Sequence, residues 1–170
     1  AYYMLVADYF KALEYIDRVR SLYADRYLVE NLRIRLLSKL GRHDEAVRLA
    51  IENCQRNRNS FTLAKLVEAL ARAEQLQAAA ENFAAAVAER TPGDDAYFIA
   101  RSAYTMGDQE SALAWLDTAM EERDLPFFGI AADPDWGEFH WDTRFQERVL
   151  RAGLELRLPY IERCMNRQRS

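Results

Sequence analysis

The chain reads as an all-α repeat of antiparallel helix hairpins, and three observations carry that expectation. Alanines that open the second helix of a hairpin recur at Ala12, Ala46, Ala80 and Ala112, at nearly equal steps along the chain. Two of these units carry a glycine turn immediately before the alanine-bearing helix, at Gly41 and Gly107. Apolar residues elsewhere recur at helical spacing, with no strand-like alternation to compete.

The local sequences around the four alanines run Phe10-Lys-Ala-Leu-Glu-Tyr-Ile, Asp44-Glu-Ala-Val-Arg-Leu-Ala, Ala78-Ala-Ala-Glu-Asn-Phe-Ala and Glu110-Ser-Ala-Leu-Ala-Trp-Leu. A small side chain is needed there because the two helices of a hairpin cross closely, and a larger one would push them apart. The turns read Leu40-Gly41-Arg42-His43-Asp44-Glu45 and Met106-Gly107-Asp108-Gln109-Glu110-Ser111. Glycine ends a helix in the left-handed conformation, and the acidic residues after it favour the next N-terminus. Gly41 and Gly107 are therefore turn residues and not phosphate cradles.

Taken in order, helices are expected near 9–22, 27–40, 43–56, 60–73, 76–90, 94–106 and 109–123. Leu28, Leu32, Leu36 and Leu40 supply an apolar stripe at intervals of four, as do Leu63, Val67 and Ala71, and then Ile99 and Ala103. The third unit departs from the pattern, since its turn reads Ala73-Glu74-Gln75-Leu76 without glycine. Thr91-Pro92-Gly93-Asp94-Asp95 stops one helix and caps the next. Beyond Asp124-Leu125-Pro126 the pattern breaks into an aromatic loop holding Phe127, Phe128, Trp136, Phe139 and Trp141, followed by helices near 142–153 and 155–168.

A period of about 34 residues, combined with these turns, resembles the tetratricopeptide repeat (TPR) family. The resemblance implies a right-handed superhelix of hairpins in one domain over 1–170, with a partial repeat at 1–26, repeats at 27–60, 61–92 and 93–126, and a C-terminal capping segment over 127–170. The first unit lacks a full leading helix, so a larger parent protein is expected. From 124 to 154, an Asp-Pro loop, aromatic residues and the short motif Asp142-x-Arg144-Phe145 resemble the ending of TPR regions in bacterial signalling proteins. Such regions are fused to winged-helix transcriptional regulators, nucleotide cyclases and serine/threonine kinases, which implies a regulatory parent.

Composition narrows the function. Half of the 170 residues are apolar, enough for a sizeable core. No run approaches the roughly 18 apolar residues of a membrane-spanning helix, and no signal peptide is written in the first residues. The expected location is the cytoplasm, with the periplasmic part of a membrane-tethered regulator as the alternative. A net charge of −4 argues against a general nucleic-acid binder, so none is expected for this region. Cys54 and Cys164 are far apart and read as buried or half-buried thiols.

No catalytic residue, metal site or cofactor is expected. His43 and His140 have no partner at the spacing of a metal or nucleophile motif and read as surface or capping residues. Asp133, Asp135, Glu138 and Asp142 could gather around calcium, but they lack the alternation and placed glycine of an EF-hand. Asp133 before proline and Asp142 before a helix have ordinary capping roles. The aromatic residues beside them seal the end of the repeats or, on the sharper reading, form a docking patch.

In the TPR family the first helix of each hairpin lines a concave groove, which implies a ligand face made of Asn31, Arg35 and Lys39, then Lys65 and Arg72, then Tyr97, Arg101 and Tyr104. The set contains no acidic residue, although the chain is acidic overall. Arginine can hold a carboxylate bidentately, so a protein partner or acidic peptide is expected, with Tyr97 and Tyr104 offering flat apolar contact. The alternative is self-association of parent molecules through exposed repeat ends, for which the tyrosine-rich start at Tyr2 and Tyr3 speaks.

Overall fold

A computed structural model of the chain describes residues 8–19, 26–158 and 160–162. Every regular element among them is helical, and the chain divides into two compact units, 1–89 and 90–170.

The first unit holds α1 (Tyr9–Val19), α2 (Arg26–Lys39), α3 (His43–Arg56), α4 (Ser60–Arg72) and α5 (Leu76–Ala88). They pack as sequential hairpins, α1 on α2, α2 on α3, α3 on α4 and α4 on α5, and α2 also lies against α4. Alanines hold the close approaches as expected at Ala12 and Ala46, both buried. In the third hairpin the buried alanine is Ala79, whereas Ala80 is exposed. The run of three alanines at 78–80 hides the register, and the corrected series is Ala12, Ala46, Ala79 and Ala112.

The turns give the same answer independently. Gly41, Glu74 and Gly107 stand at equal intervals along the chain and all have positive φ, at 72°, 60° and 90°. Each turn closes with one hydrogen bond pattern. The N–H of Arg42, Gln75 and Asp108 donates to the carbonyl of Leu37, Leu70 and Ala103, at 2.9, 2.9 and 3.0 Å. This six-residue closure is the Schellman arrangement, which satisfies carbonyls the helix end would leave open. The third unit thus makes the same left-handed turn with Glu74 where the other two have glycine.

The stripe at intervals of four holds through Leu63, Val67 and Ala71 on α4 but not on α2. There Leu36 is buried while Leu32 and Leu40 are half-buried, and Val29, Ile34 and Leu37 take the core positions. Residues four apart drift about 40° around a helix that turns 100° per residue, so a strict series of four leaves the core face. The side chain of Leu28, with Tyr2, Tyr3 and Cys164, lies outside the described residues. Cys54 is buried and free, and burial pushes its thiol up.

The second unit holds α6 (Ala96–Thr105), α7 (Gln109–Glu121), two 3-10 helices at Leu125–Ala132 and Pro134–Trp141, and α8 (Thr143–Arg151). α6 packs on α7, both 3-10 helices pack on α6, and α8 packs on α7 and on the second 3-10 helix. The expected aromatic loop is therefore largely helical, broken by a kink at Gly137, whose φ of 48° and ψ of −125° are not helical. Pro126 and Pro134 sit at the second and first positions of their 3-10 helices, where a missing N–H costs nothing. Residues 154–157 are not helical, so the last expected helix begins at 158 and not 155.

Within this segment the two aromatic readings divide by residue. Phe127, Trp136 and Phe139 are buried, whereas Phe128 and Trp141 are exposed. In a 3-10 helix residues three apart eclipse, so Phe127 and Ile130 face inward together while Leu125 and Phe128 face out. Phe145 completes the core, with ring centroids 5.2 Å from Phe139 and 5.4 Å from Trp136. No described helix is long and apolar enough to cross a membrane.

Candidate functional site

The faces expected to hold a ligand are much less open than helical spacing alone implies. On α2, Asn31 is buried and accepts a hydrogen bond from the Asn53 amide at 3.1 Å, while Arg35 and Lys39 are half-buried. On α4, Lys65 is 5% exposed and its Nζ donates to Glu68 at 2.9 Å. Arg72 is half-buried and lies 3.6 Å from the same carboxylate. Glu68 therefore places an acid inside a set that helical spacing reads as free of acids. α2 and α4 are packed together, so these five residues share one neighbourhood in the first unit.

Tyr97, Arg101 and Tyr104 belong to the second unit, where Tyr97 and Tyr104 pack on Trp136 and Arg101 lies beside Tyr97. The Tyr97 hydroxyl donates to Asp133 at 2.9 Å and accepts from the Trp136 indole N–H at 2.9 Å. Arg101, 2% exposed, donates to the same Asp133 oxygen at 2.8 Å and stands 3.7 Å from Asp135. Tyr104 stacks on Phe139 with centroids 4.9 Å apart. Burial, with the Asp133 charge beside it, pushes the Tyr97 phenol well above its usual range, so it stays protonated.

Burial corrects the expectation of exposure for Asn31, Lys65, Tyr97 and Arg101. A cation at such depth must be paired, since an unpaired buried charge costs several kcal/mol. The Lys65–Glu68–Arg72 grouping is legible in the sequence, because residues three and four apart on a helix are neighbours. The pairing of Arg101 with Asp133 is not, since the two lie on different elements far apart in the chain.

The Asp142-x-Arg144-Phe145 motif resolves into three jobs. Asp142 caps α8 by accepting from the Arg144 N–H at 2.8 Å, the Arg144 guanidinium bridges Asp142 to Glu110 on α7, and Phe145 fills the core. The Arg144 guanidinium holds the Asp142 carboxyl below its usual range. Arg148 and Arg151 repeat the link to α7 through Asp117.

Asp133 likewise caps its 3-10 helix, accepting from the Asp135 N–H at 3.1 Å. Asp95 does not cap α6. It has a positive φ and its side chain makes no capping bond, and the Tyr97 N–H is instead satisfied by Asp124 from beyond α7, at 2.8 Å. His140 is fully buried, which corrects its reading as a surface residue, and it packs 5.1 Å from the Phe145 ring. Its Nδ1 lies 3.2 Å from the Gly137 carbonyl, while burial holds the ring's pKa below its usual value. Among the described residues no group of three or more His, Cys, Asp or Glu is placed to hold a metal ion.

A further open surface meets the faces that helical spacing points to only at Arg72. A furrow in the first unit runs along α3 from the two inter-helix turns. One lobe of about 380 Å³ is lined by Asp44, Val47, Arg48, Ile51, Glu52, Gln55 and Gln75. A second, of about 330 Å³, shares Asp44 and is lined by Gly41, His43, Arg72, Ala73 and Glu74. No protein-family model, curated protein or solved structure matches the chain.

Proposed function

We propose that the chain is a non-catalytic, protein-binding repeat module of tetratricopeptide type, its hairpins coiled as a right-handed superhelix. The observation that supports this most is the left-handed turn at 41, 74 and 107, recurring at equal intervals with the same closing hydrogen bond. Such modules present side chains on stacked hairpins and need no chemistry of their own. The resemblance of the 124–154 segment to repeat endings in bacterial regulators supports a regulatory role within a signalling or transcription-regulator protein.

The ligand face on this reading is the packed pair α2 and α4, with Arg35, Lys39 and Arg72 as its half-exposed cations and an acidic peptide or protein segment as partner. Arg101 is not a clean probe of it, because removing that cation orphans Asp133 in the core. The test is capture of acidic peptides from an array at two salt concentrations, comparing wild type with Arg35→Glu/Lys39→Glu. Salt-sensitive capture lost in the variant, at an unchanged thermal midpoint, is expected. Equal capture by both proteins, or none by either, refutes the acidic-ligand face.

Self-association is a second reading, favoured by Phe10 and Tyr15 of α1, which are 76% and 56% exposed. It predicts a concentration-dependent sedimentation coefficient that Phe10→Ser abolishes.

A further inference from the structure

We infer that the furrow along α3 is a second docking site, and that its occupant is an amphipathic helix of a partner protein carrying a basic residue, an acidic residue and an aliphatic residue at successive turns. This rests on the reading of the chain as a protein-binding module, but uses a surface that meets the α2–α4 face only at Arg72.

The shape argues for a helix. Asp44, Arg48, Ile51 and Gln55 lie at steps of three or four along α3, so they form one stripe about 17 Å long at 1.5 Å per residue. A helix laid along that stripe matches it over three turns. Val47 forms a buried floor beside it, and Ile51 is 41% exposed at the far end, an aliphatic side chain left in water next to a recess. Leu76, 56% exposed at the start of α5, follows Gln75 of the same wall. Gly41 and Ala73 keep the turn end of the furrow shallow-walled and open.

The charges select the partner. Most ionic side chains around α3 are already committed, Arg42 to Glu45, Arg56 to Glu52 and Arg72 to Glu68. Asp44 and Glu74 are the exceptions, holding no hydrogen bond or ion pair from their side chains among the described residues, and Arg48 makes no ion pair either, though its charge is felt by Glu45. Asp44 complements the N-terminus of α3, as an acid in a first turn should, and with Glu74 it lines the turn-end lobe. Two uncommitted acids at one end, a cation one turn on and an aliphatic residue two turns on define a complementary series. The partner helix carries Lys or Arg opposite Asp44 and Glu74, Asp or Glu four residues away opposite Arg48, and Leu or Ile seven residues away against Ile51. Complementary charge fixes the register of such a helix, and the aliphatic contact supplies the anchor.

A displayed library of helical 15-residue peptides, randomised at the three positions and selected on wild type with counter-selection on Ile51→Glu, tests this. The expected result is enrichment of the basic, acidic, aliphatic series at 0, 4 and 7, with affinity at least ten-fold weaker for Asp44→Lys/Glu74→Lys. A peptide whose basic residue is changed to Glu should regain affinity for that variant. Both substituted carboxylates are exposed, so the fold is expected to survive, as a thermal midpoint will show. No enrichment over counter-selection, or unchanged affinity in the charge-reversed variant, overturns the proposal. Because the probe helices are read against substitutions on α3 and the turn, and the acidic array against Arg35 and Lys39, failure of either site is visible without the other.

Discussion

Glu74 offers the sharpest test of the repeat, because it occupies with a side chain the left-handed position that Gly41 and Gly107 occupy without one. A Cβ in that conformation costs about 1–2 kcal/mol. Glycine removes the cost but adds backbone freedom to the unfolded chain, worth about 0.5–1 kcal/mol. Taking mid-range values, Glu74→Gly should stabilise the first unit by about 0.75 kcal/mol. With a urea slope of about 2 kcal/mol/M, the midpoint rises by about 0.4 M.

Gly41→Ala should show the opposite sign at similar size. A Cβ at that position meets no atom within 4 Å, so only backbone strain is added. Glu74→Ala separates strain from charge, since it keeps the left-handed cost and should fall within about 0.5 kcal/mol of wild type. The assay is urea unfolding followed by far-UV circular dichroism and by tryptophan fluorescence. All three tryptophans, 115, 136 and 141, lie in the second unit, so the shift should appear in the dichroism transition and not in the fluorescence one. A Glu74→Ala variant as stable as Glu74→Gly would refute the reasoning.

Arg101→Met should destabilise the second unit by about 3–5 kcal/mol, because Asp133 and Asp135 lose their cation, and adding Asp133→Asn should recover part of the loss. Fluorescence-detected unfolding reads both. Glu122 is held down to about 2 from 4.5 by the Arg90 guanidinium and the Gly93 N–H. A carboxyl depressed on folding adds stability that is full above its unfolded pKa and fades below it, so the deficit of Glu122→Gln against wild type should close as pH falls from about 4.5 to about 2. His140 is also depressed, from 6.5, so its neutral form stabilises the cap above that pH and protonation undermines it below. Between pH 7 and 5 the fluorescence midpoint of wild type should fall more than that of His140→Gln.

What can be read from the sequence is what neighbouring residues decide. The turns at Gly41 and Gly107, the alanines at 12, 46 and 112, and the caps at Asp133 and Asp142 all follow from residues within a turn or two. The alanine register at 78–80 is lost because three identical small residues carry no phase, and Glu74 is hidden because the sequence does not display a φ. The exposure of Asn31, Lys65, Tyr97 and Arg101 is misjudged for a different reason. Helical spacing says which residues share a side, but only tertiary packing says whether that side meets water. Glu68 can be paired with Lys65 and Arg72 on helix spacing, whereas nothing local announces that Arg101 will find Asp133 or that His140 will be sealed under Phe145. The cap's 3-10 helices escape notice because proline and glycine at 126, 129, 134 and 137 punctuate the segment as a loop would.

The long-range cap on α6 bears on how the second unit comes apart. Two residues from just beyond α7 reach back to the start of the hairpin, Asp124 to the Tyr97 N–H and Glu122 to the Gly93 N–H and to Arg90. A hairpin in a repeat array ordinarily frays from its free end, one helix at a time. Here the exit of the second helix is tied to the entrance of the first, so melting the last turn of α7 also strips the first turn of α6 of its acceptors. The amides of Gly93 and Tyr97 should therefore exchange with solvent at the same opening free energy as those of the C-terminal turn of α7. The pair would behave as one indivisible block.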